Sequence, residues 1–316
     1  MTERLVDDPE GVSALAGQVS DATGIPVTQV EKDFWVTEVL RGVAATADEL
    51  GVEVLFKGGT SLSKVFNLIE RFSEDVDMLV ILATGTKGGD DKVLKQLVEG
   101  AAASTGVEAA VDGATATKGV KRAARFHYPT PHGVGQGLSE GVLLELGARG
   151  GALGALRTEV NSLIAEHAVD QIDGLPEAAV VSVRVLAPWR TLVEKLTLLH
   201  TAHSAPEPTA AVKGARHVYD VCRLLSSREV LAGVAEAGVA AISRDVCMYS
   251  RHAELDAMDR PEGGFASSPA FTDGPHVEAA RAEYERRVLG ELLWPNAERP
   301  TFDECIAAVH EHAADL

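Results

Sequence analysis

Asp75 and Asp77 stand two residues apart in RFSEDVDM, a short helix downstream of the Gly58-Gly59 pair in FKGGTSLSKVF. If VDMLVIL (76–82) is a strand, residues at i and i+2 point to one face, so both carboxylates share it. Like charges so close repel unless a cation lies between them, and hard carboxylate oxygens suit Mg2+. The competing reading is an acidic turn with solvated side chains. Glycines that end a strand and open a helix offer backbone N–H groups to phosphate, and the Thr60 and Ser61 hydroxyls can add hydrogen bonds. No Gly-Lys-Ser/Thr closes this turn, so it is not a Walker A loop. Together the features point to a metal–nucleotide site, with the cation bridging triphosphate oxygens. Glu145, inside the apolar strand LLELG, is a charge whose burial needs a partner. It reads as a third metal ligand or as an edge-facing glutamate.

The elements that must position these groups follow from periodicity. Val36, Val39, Leu40 and Val43 set a helix over 27–50, stopped by Gly51. VEVLF (52–56) reads as a strand, and Leu62, Val65, Phe66 and Ile69 form the stripe of a helix that begins at the glycines. A helix over 92–104 and strands over 123–128, 141–147 and 180–186 come next, with a further helix near 155–168. From Pro188 onward the pattern is helical: 189–202, 213–226, 228–258 and 276–293. The fold class is α+β, with a mixed sheet domain over 1–187 and a helical domain over 188–316.

Composition narrows the functional classes. Hydrophobic residues make up 46% of the 316, enough for a sizeable core. No apolar run reaches the roughly 18 residues of a membrane span, and no basic-then-apolar leader opens the chain. Cys222, Cys247 and Cys305 are far apart and lack metal-ligand spacing, which implies a reducing, cytoplasmic setting. A formal charge of −18 disfavours nonspecific nucleic-acid binding. It leaves room for an enzyme that meets RNA through a local basic patch. Five basic side chains do cluster in KGVKRAARFHY: Lys118, Lys121, Arg122, Arg125 and His127. They read as a solvated charge run, or as an RNA or triphosphate contact.

The ordered set EKDFWVTEVLR (31–41), FKGGTSLSKVF (56–66), RFSEDVDM (71–78), VEKLTLLH (193–200) and RHVYDVCRL (216–224) resembles the AbiEii/AbiGii toxin family, which includes the MenT toxins. That family lies within the polymerase-β-like nucleotidyltransferase superfamily. The resemblance implies a bacterial toxin that transfers nucleotides from an NTP to tRNA 3′ ends at a two-Mg2+ site. A cognate antitoxin protein is implied as well. By the same resemblance Ser73, Asp75, Lys195 and Asp220 fall at functional positions, and Lys57 and Arg71 stand where they can reach phosphates. Glu31, Lys32 and Asp33 read as a bracing face, and His200, His203 and His217 lack metal-ligand spacing. Lys195 is otherwise an ordinary exposed helix lysine. Asp220 is otherwise the i,i+4 partner of Arg216. Ser73 is a turn serine or a phosphorylation switch. Two alternatives to RNA transfer stand: modification of a protein or small-molecule hydroxyl, and nucleotide binding without transfer.

Overall fold

The computed structural model describes residues 4–82, 85–113, 116–135, 138–148, 153–252 and 256–316. The chain divides into two compact units. The first comprises 1–65, 72–148 and 155–185; the second comprises 66–71, 149–154 and 186–316. Two short segments of the N-terminal half thus belong to the helical unit, which contiguous sequence domains do not anticipate.

The first unit is built on a seven-stranded mixed sheet. Its strands are β1 (Glu53–Lys57), β2 (Asp75–Ile81), β3 (Ala109–Val111), β4 (Lys121–Phe126), β5 (Val142–Gly147), β6 (Ala155–Val160) and β7 (Val181–Leu186). They lie side by side in the order β3-β4-β5-β2-β1-β7-β6. β2 runs antiparallel to β1 and parallel to β5, so the acidic strand is central. Over Asp75–Met78 on β2 and along β5, the buried residues (Val76 and Met78; Val142, Leu144 and Leu146) alternate with half-buried ones. That period of two leaves Asp75, Asp77 and Glu145 together on the opposite face.

Helix α1 (Pro9–Thr23) starts where Asp8 accepts from the Gly11 N–H. α2 (Val27–Leu50) follows and ends at Gly51, whose φ of 64° suits a residue without Cβ. α3 (Gly58–Lys64) leaves β1 directly, and α4 (Lys87–Thr105) packs against α2. The α2–α4 approach depends on Gly42, where a Cβ would lie 2.7 Å from the Ala101 Cα. α5 (Leu163–His167) completes this unit's helices among the described residues.

Two expectations are corrected here. The stripe Leu62–Ile69 is not one helix: α3 stops at Lys64, and Asn67 adopts a left-handed φ of 51°. Residues 66–71 turn away to the helical unit, where Ile69 is buried and Arg71 bridges Leu293. The helix expected near 155–168 is a strand to Val160 and helical only from Leu163. Leu156 and Val160 have helical spacing, but edge pairing beside β7 overrides it.

The second unit contains α6 (Pro188–His203), α7 (Thr209–Lys213), α8 (Ala215–Leu225), α9 (Arg228–Ala237), α10 (Val239–His252), α11 (Pro275–Glu283) and α12 (Phe302–Glu311). A π-helical stretch, Tyr284–Leu292, continues α11. α12 carries a full capping box between Thr301 and Glu304. α6 and α8 pack together, and α8 packs on α12.

Candidate active site

In the sheet unit, the glycine turn and the acidic strand touch. Gly58 has φ 79°, and a Cβ there would fall 2.3 Å from the Asp77 Oδ2. Only glycine allows the chain to turn so close to that carboxylate. Across the sheet Asp77 is in register with Lys57 on β1 and with Glu145 on β5. Paired residues share a face, so a basic group and a second acidic group flank Asp77.

The hydroxyls of the turn serve the protein itself. Thr60 donates to the Asp75 carbonyl at 2.5 Å and lies 3.0 Å from the Ser73 Oγ. A hydroxyl has one proton, so Ser73 donates to Thr60 in that second contact. Ser61 is fully buried and donates to the Gly58 carbonyl at 3.0 Å. Thr60 and Ser61 therefore hold the turn against the start of β2.

The EKD motif braces the same strand. Lys32, 1% exposed, donates to the Ser139 carbonyl at 2.5 Å and to Glu74, the residue before Asp75. Burial pushes the Glu74 carboxyl up, but Lys32 and Ser139 hold it below its ordinary value overall. Asp33 pairs with Lys64 on α3 and accepts from the Leu163 N–H at 2.7 Å. Glu31 of the same motif instead faces His132 and Ser13.

Most of the basic cluster has local partners. Lys121 Nζ lies 2.6 Å from Glu145 Oε1, and Arg122 pairs with Asp91 at 3.2 Å. Arg125 donates to the Glu140 carbonyl at 2.8 Å, while Lys118 sits in an exposed turn. Lys121 and Arg125 share the acidic face, since Ala123 between them is in register with Glu145. Among the described residues no three His, Cys, Asp or Glu side chains are grouped closely enough to hold a metal ion.

The helical unit contains a buried charge cluster. Arg71 grips Asp220 with both ends of its fork, at 2.6 and 2.8 Å, and Lys195 Nζ reaches the Asp220 Oδ2 at 2.7 Å. Asp220 is 0% exposed, Arg71 2% and Lys195 4%. Lys195 is thus no exposed helix lysine, and exposed Arg216 does not pair with Asp220. Burial pushes the Asp220 carboxyl up, yet Arg71 and Lys195 reverse this and hold it well below its ordinary value. Burial lowers the Lys195 ammonium, against the pull of Asp220.

His217, three residues before Asp220, completes the cluster at 3.2 Å from Lys195 Nζ. Lysine only donates, so the His217 Nδ1 accepts and the ring is neutral, with its proton on Nε2. Burial first, and then Lys195, push this ring down to about 3. Two cations and one anion leave a net charge of +1 in the interior. Such a cluster attracts an anionic ligand. The sequence offered one signal for His217, the i,i+3 spacing to Asp220.

A prediction follows for pH. An unfolded histidine titrates near ~6.5, so below that pH the unfolded chain takes up a proton that the folded His217 refuses. The stability this ring contributes is complete above about pH 6.5 and is lost progressively as pH falls toward 3. His217→Asn keeps an acceptor for Lys195 without the titration. Its melting temperature should fall less than the wild type's between about pH 7 and 4. Parallel Tm–pH curves would show that the ring does not carry this titration.

The strand order and the acidic strand beside the glycine turn define a nucleotidyltransferase fold. The profile of the "Nucleotidyl transferase AbiEii toxin, Type IV TA system" family matches residues 40–308, and the chain belongs to that family. Among solved structures it is similar to MenT4, a nucleotidyltransferase toxin from Mycobacterium tuberculosis H37Rv, at 16% identity and a TM-score of 0.50. That match covers 95% of this chain and 94% of the other. An antigenic nucleotidyltransferase-like protein from Paracoccidioides brasiliensis matches at 15% identity and a TM-score of 0.37, covering 72% of this chain and 94% of that one. A comparison with curated protein sequences finds no match. No helix among the described residues is long and apolar enough to cross a membrane.

Proposed function

We propose that the protein transfers a nucleotidyl group from an NTP to the 3′-hydroxyl of RNA, with tRNA as the acceptor, and so blocks translation in the cytoplasm until its antitoxin intervenes. The observation that carries this reading is the acidic face of β2, with the Gly58 turn so near Asp77 that a Cβ would lie only 2.3 Å from its carboxylate oxygen. A turn with that approach presents backbone, not side chain, beside the carboxylates.

Asp75 and Asp77 are hard oxygen donors on one face, and they fit Mg2+. Glu145 joins them only by exchanging its partner Lys121. A divalent cation held there would supply charge stabilisation to the phosphates. The remaining work falls to the chain's own groups. Lys57, opposite Asp77, and the Gly58-Gly59 backbone orient the triphosphate. In the helical unit the Lys195 and Arg71 cations, held by Asp220, carry a surplus positive charge that suits an anionic ligand such as a triphosphate. Arg71 precedes Asp75 by only four residues in the chain. Ser73 lies between them, bonded to Thr60, and phosphorylation there would add negative charge where an anionic substrate binds. In the reaction the acceptor hydroxyl loses its proton, its oxygen bonds the α-phosphorus, and pyrophosphate departs.

The test is incubation with each α-labelled NTP, Mg2+ and total bacterial RNA, followed by sequencing of labelled 3′ ends. Label at tRNA 3′ ends with release of pyrophosphate supports the proposal. Label on protein or a small molecule, or NTP binding without pyrophosphate, would replace it with one of the alternatives.

A further inference from the structure

We infer that a cavity in the helical unit, walled by Lys213, Arg216 and Arg287, docks the phosphodiester backbone of the acceptor strand. The inference rests on the reading above that the acceptor is RNA. It places that contact away from the basic segment 118–127 of the sheet unit.

The cavity has a volume of about 160 Å³, with Val212, Ala215, Val288 and Leu292 as its apolar lining. At ~30 Å³ per water, that is room for about five waters, enough for a phosphate group with its ester oxygens. Lys213 ends α7, Arg216 begins α8, and Arg287 projects from the π-helical stretch, a distortion often found at functional sites. All three are exposed, and among the described residues none of them forms an ion pair. Glu283, the cavity's carboxylate, is neutralised by Arg286, which donates to both of its oxygens at 2.9 and 3.1 Å.

Charge decides between the two basic regions. A chain with 47 acidic and 29 basic residues repels RNA at range, so a local surplus of positive charge must capture it. In the 118–127 segment Lys121 and Arg122 already face Glu145 and Asp91. A phosphate binding there must displace a carboxylate. At the cavity it need displace none, and two guanidinium forks suit phosphate geometry. The positive potential also extends inward. Arg216 adjoins His217, which contacts Lys195, and Arg216 contributes to lowering both of those groups. An apolar floor under an exposed cationic rim suits the sugar and phosphate of a strand passing over it.

The test uses Lys213→Ser with Arg287→Ser, sparing Arg216 because its neighbour touches Lys195. Both positions are exposed, so folding should be unaffected. Binding of fluorescein-labelled bulk bacterial tRNA, and of a short single-stranded RNA, is followed by anisotropy between ~50 and ~200 mM salt. The double variant should bind RNA about tenfold or more weakly at low salt. Its log–log salt slope should be shallower by about 1.5, two contacts at roughly 0.7–0.9 each. NTP affinity should equal the wild type's. Unchanged RNA affinity and slope would overturn the inference. So would an equal loss of NTP affinity, which would assign the cavity to the triphosphate. A wild type that shows the salt-dependent RNA binding but transfers no nucleotide would defeat the transferase reading and leave the docking site standing. A variant that transfers at unchanged RNA KM would defeat the docking site alone.

Discussion

Asp77→Asn should lower nucleotide transfer by at least about 10³-fold, equivalent to about 4 kcal/mol of transition-state stabilisation, while the protein stays folded. The carboxylate lies on the acidic face with Asp75, in register with Glu145 and beside the Gly58 turn. Asparagine preserves its size, so the turn need not move. What is lost is one of the two negative charges proposed to hold a divalent cation, and such a cation supplies several kcal/mol of rate where it takes part. Removing a charge from two neighbouring carboxylates also relieves repulsion, which limits the stability cost. Toxicity on induction in a bacterial host should disappear with the activity. The readouts are pyrophosphate release and Tm. Near-wild-type transfer in Mg2+ would refute the assignment of this face.

Asp220→Ala should destabilise the fold by about 3–5 kcal/mol, the cost of leaving buried charge uncompensated. Against a total stability of roughly 5–15 kcal/mol, that is enough to leave part of the protein unfolded at 37 °C. The wild-type cluster holds Arg71, Lys195 and Asp220 at a net +1, with His217 neutral. Without Asp220 two buried cations face each other. Lys195→Met, by contrast, leaves the bidentate Arg71–Asp220 pair intact and the cluster neutral. The order of stability should therefore be wild type, then Lys195→Met, then Asp220→Ala, and the double variant should recover part of the loss. Urea unfolding at neutral pH measures this. If Asp220→Ala were as stable as Lys195→Met, charge balance would not be what holds the cluster. Nucleotide transfer should fall in both variants on the proposed reading that this cluster binds the triphosphate.

Asp220 also separates what local pattern can reveal from what it cannot. Its spacing to Arg216 suggests a surface pair, yet its partner Arg71 lies 149 residues earlier in the chain. Nothing in either segment names the other. Burial of both groups, which no helical period predicts for charged residues, forced the pairing. The segment 66–71 has the same character. Its apolar spacing continues the stripe of α3, but it leaves the helix at Asn67 and joins the helical unit.

Local pattern alone was enough to set the acidic face and the turn beside it. Alternation along β2 places Asp75 and Asp77 on one side whatever else the chain does, and Gly58 allows the close approach. It likewise set the long helix α2 from its apolar period and the stop at Gly51, and the mainly helical character of the described residues after Pro188, though the helix expected over 228–258 breaks at Gly238. Packing of distant segments set who pairs with whom. Thr60 and Ser61 turn their hydroxyls to backbone carbonyls, Lys121 takes Glu145, Lys32 takes Glu74, and residues 155–160 become an edge strand. The physical reason is range. Periodicity and turn chemistry act within a few residues, whereas the desolvation of a buried charge is answered by whichever opposite charge the packed chain brings near.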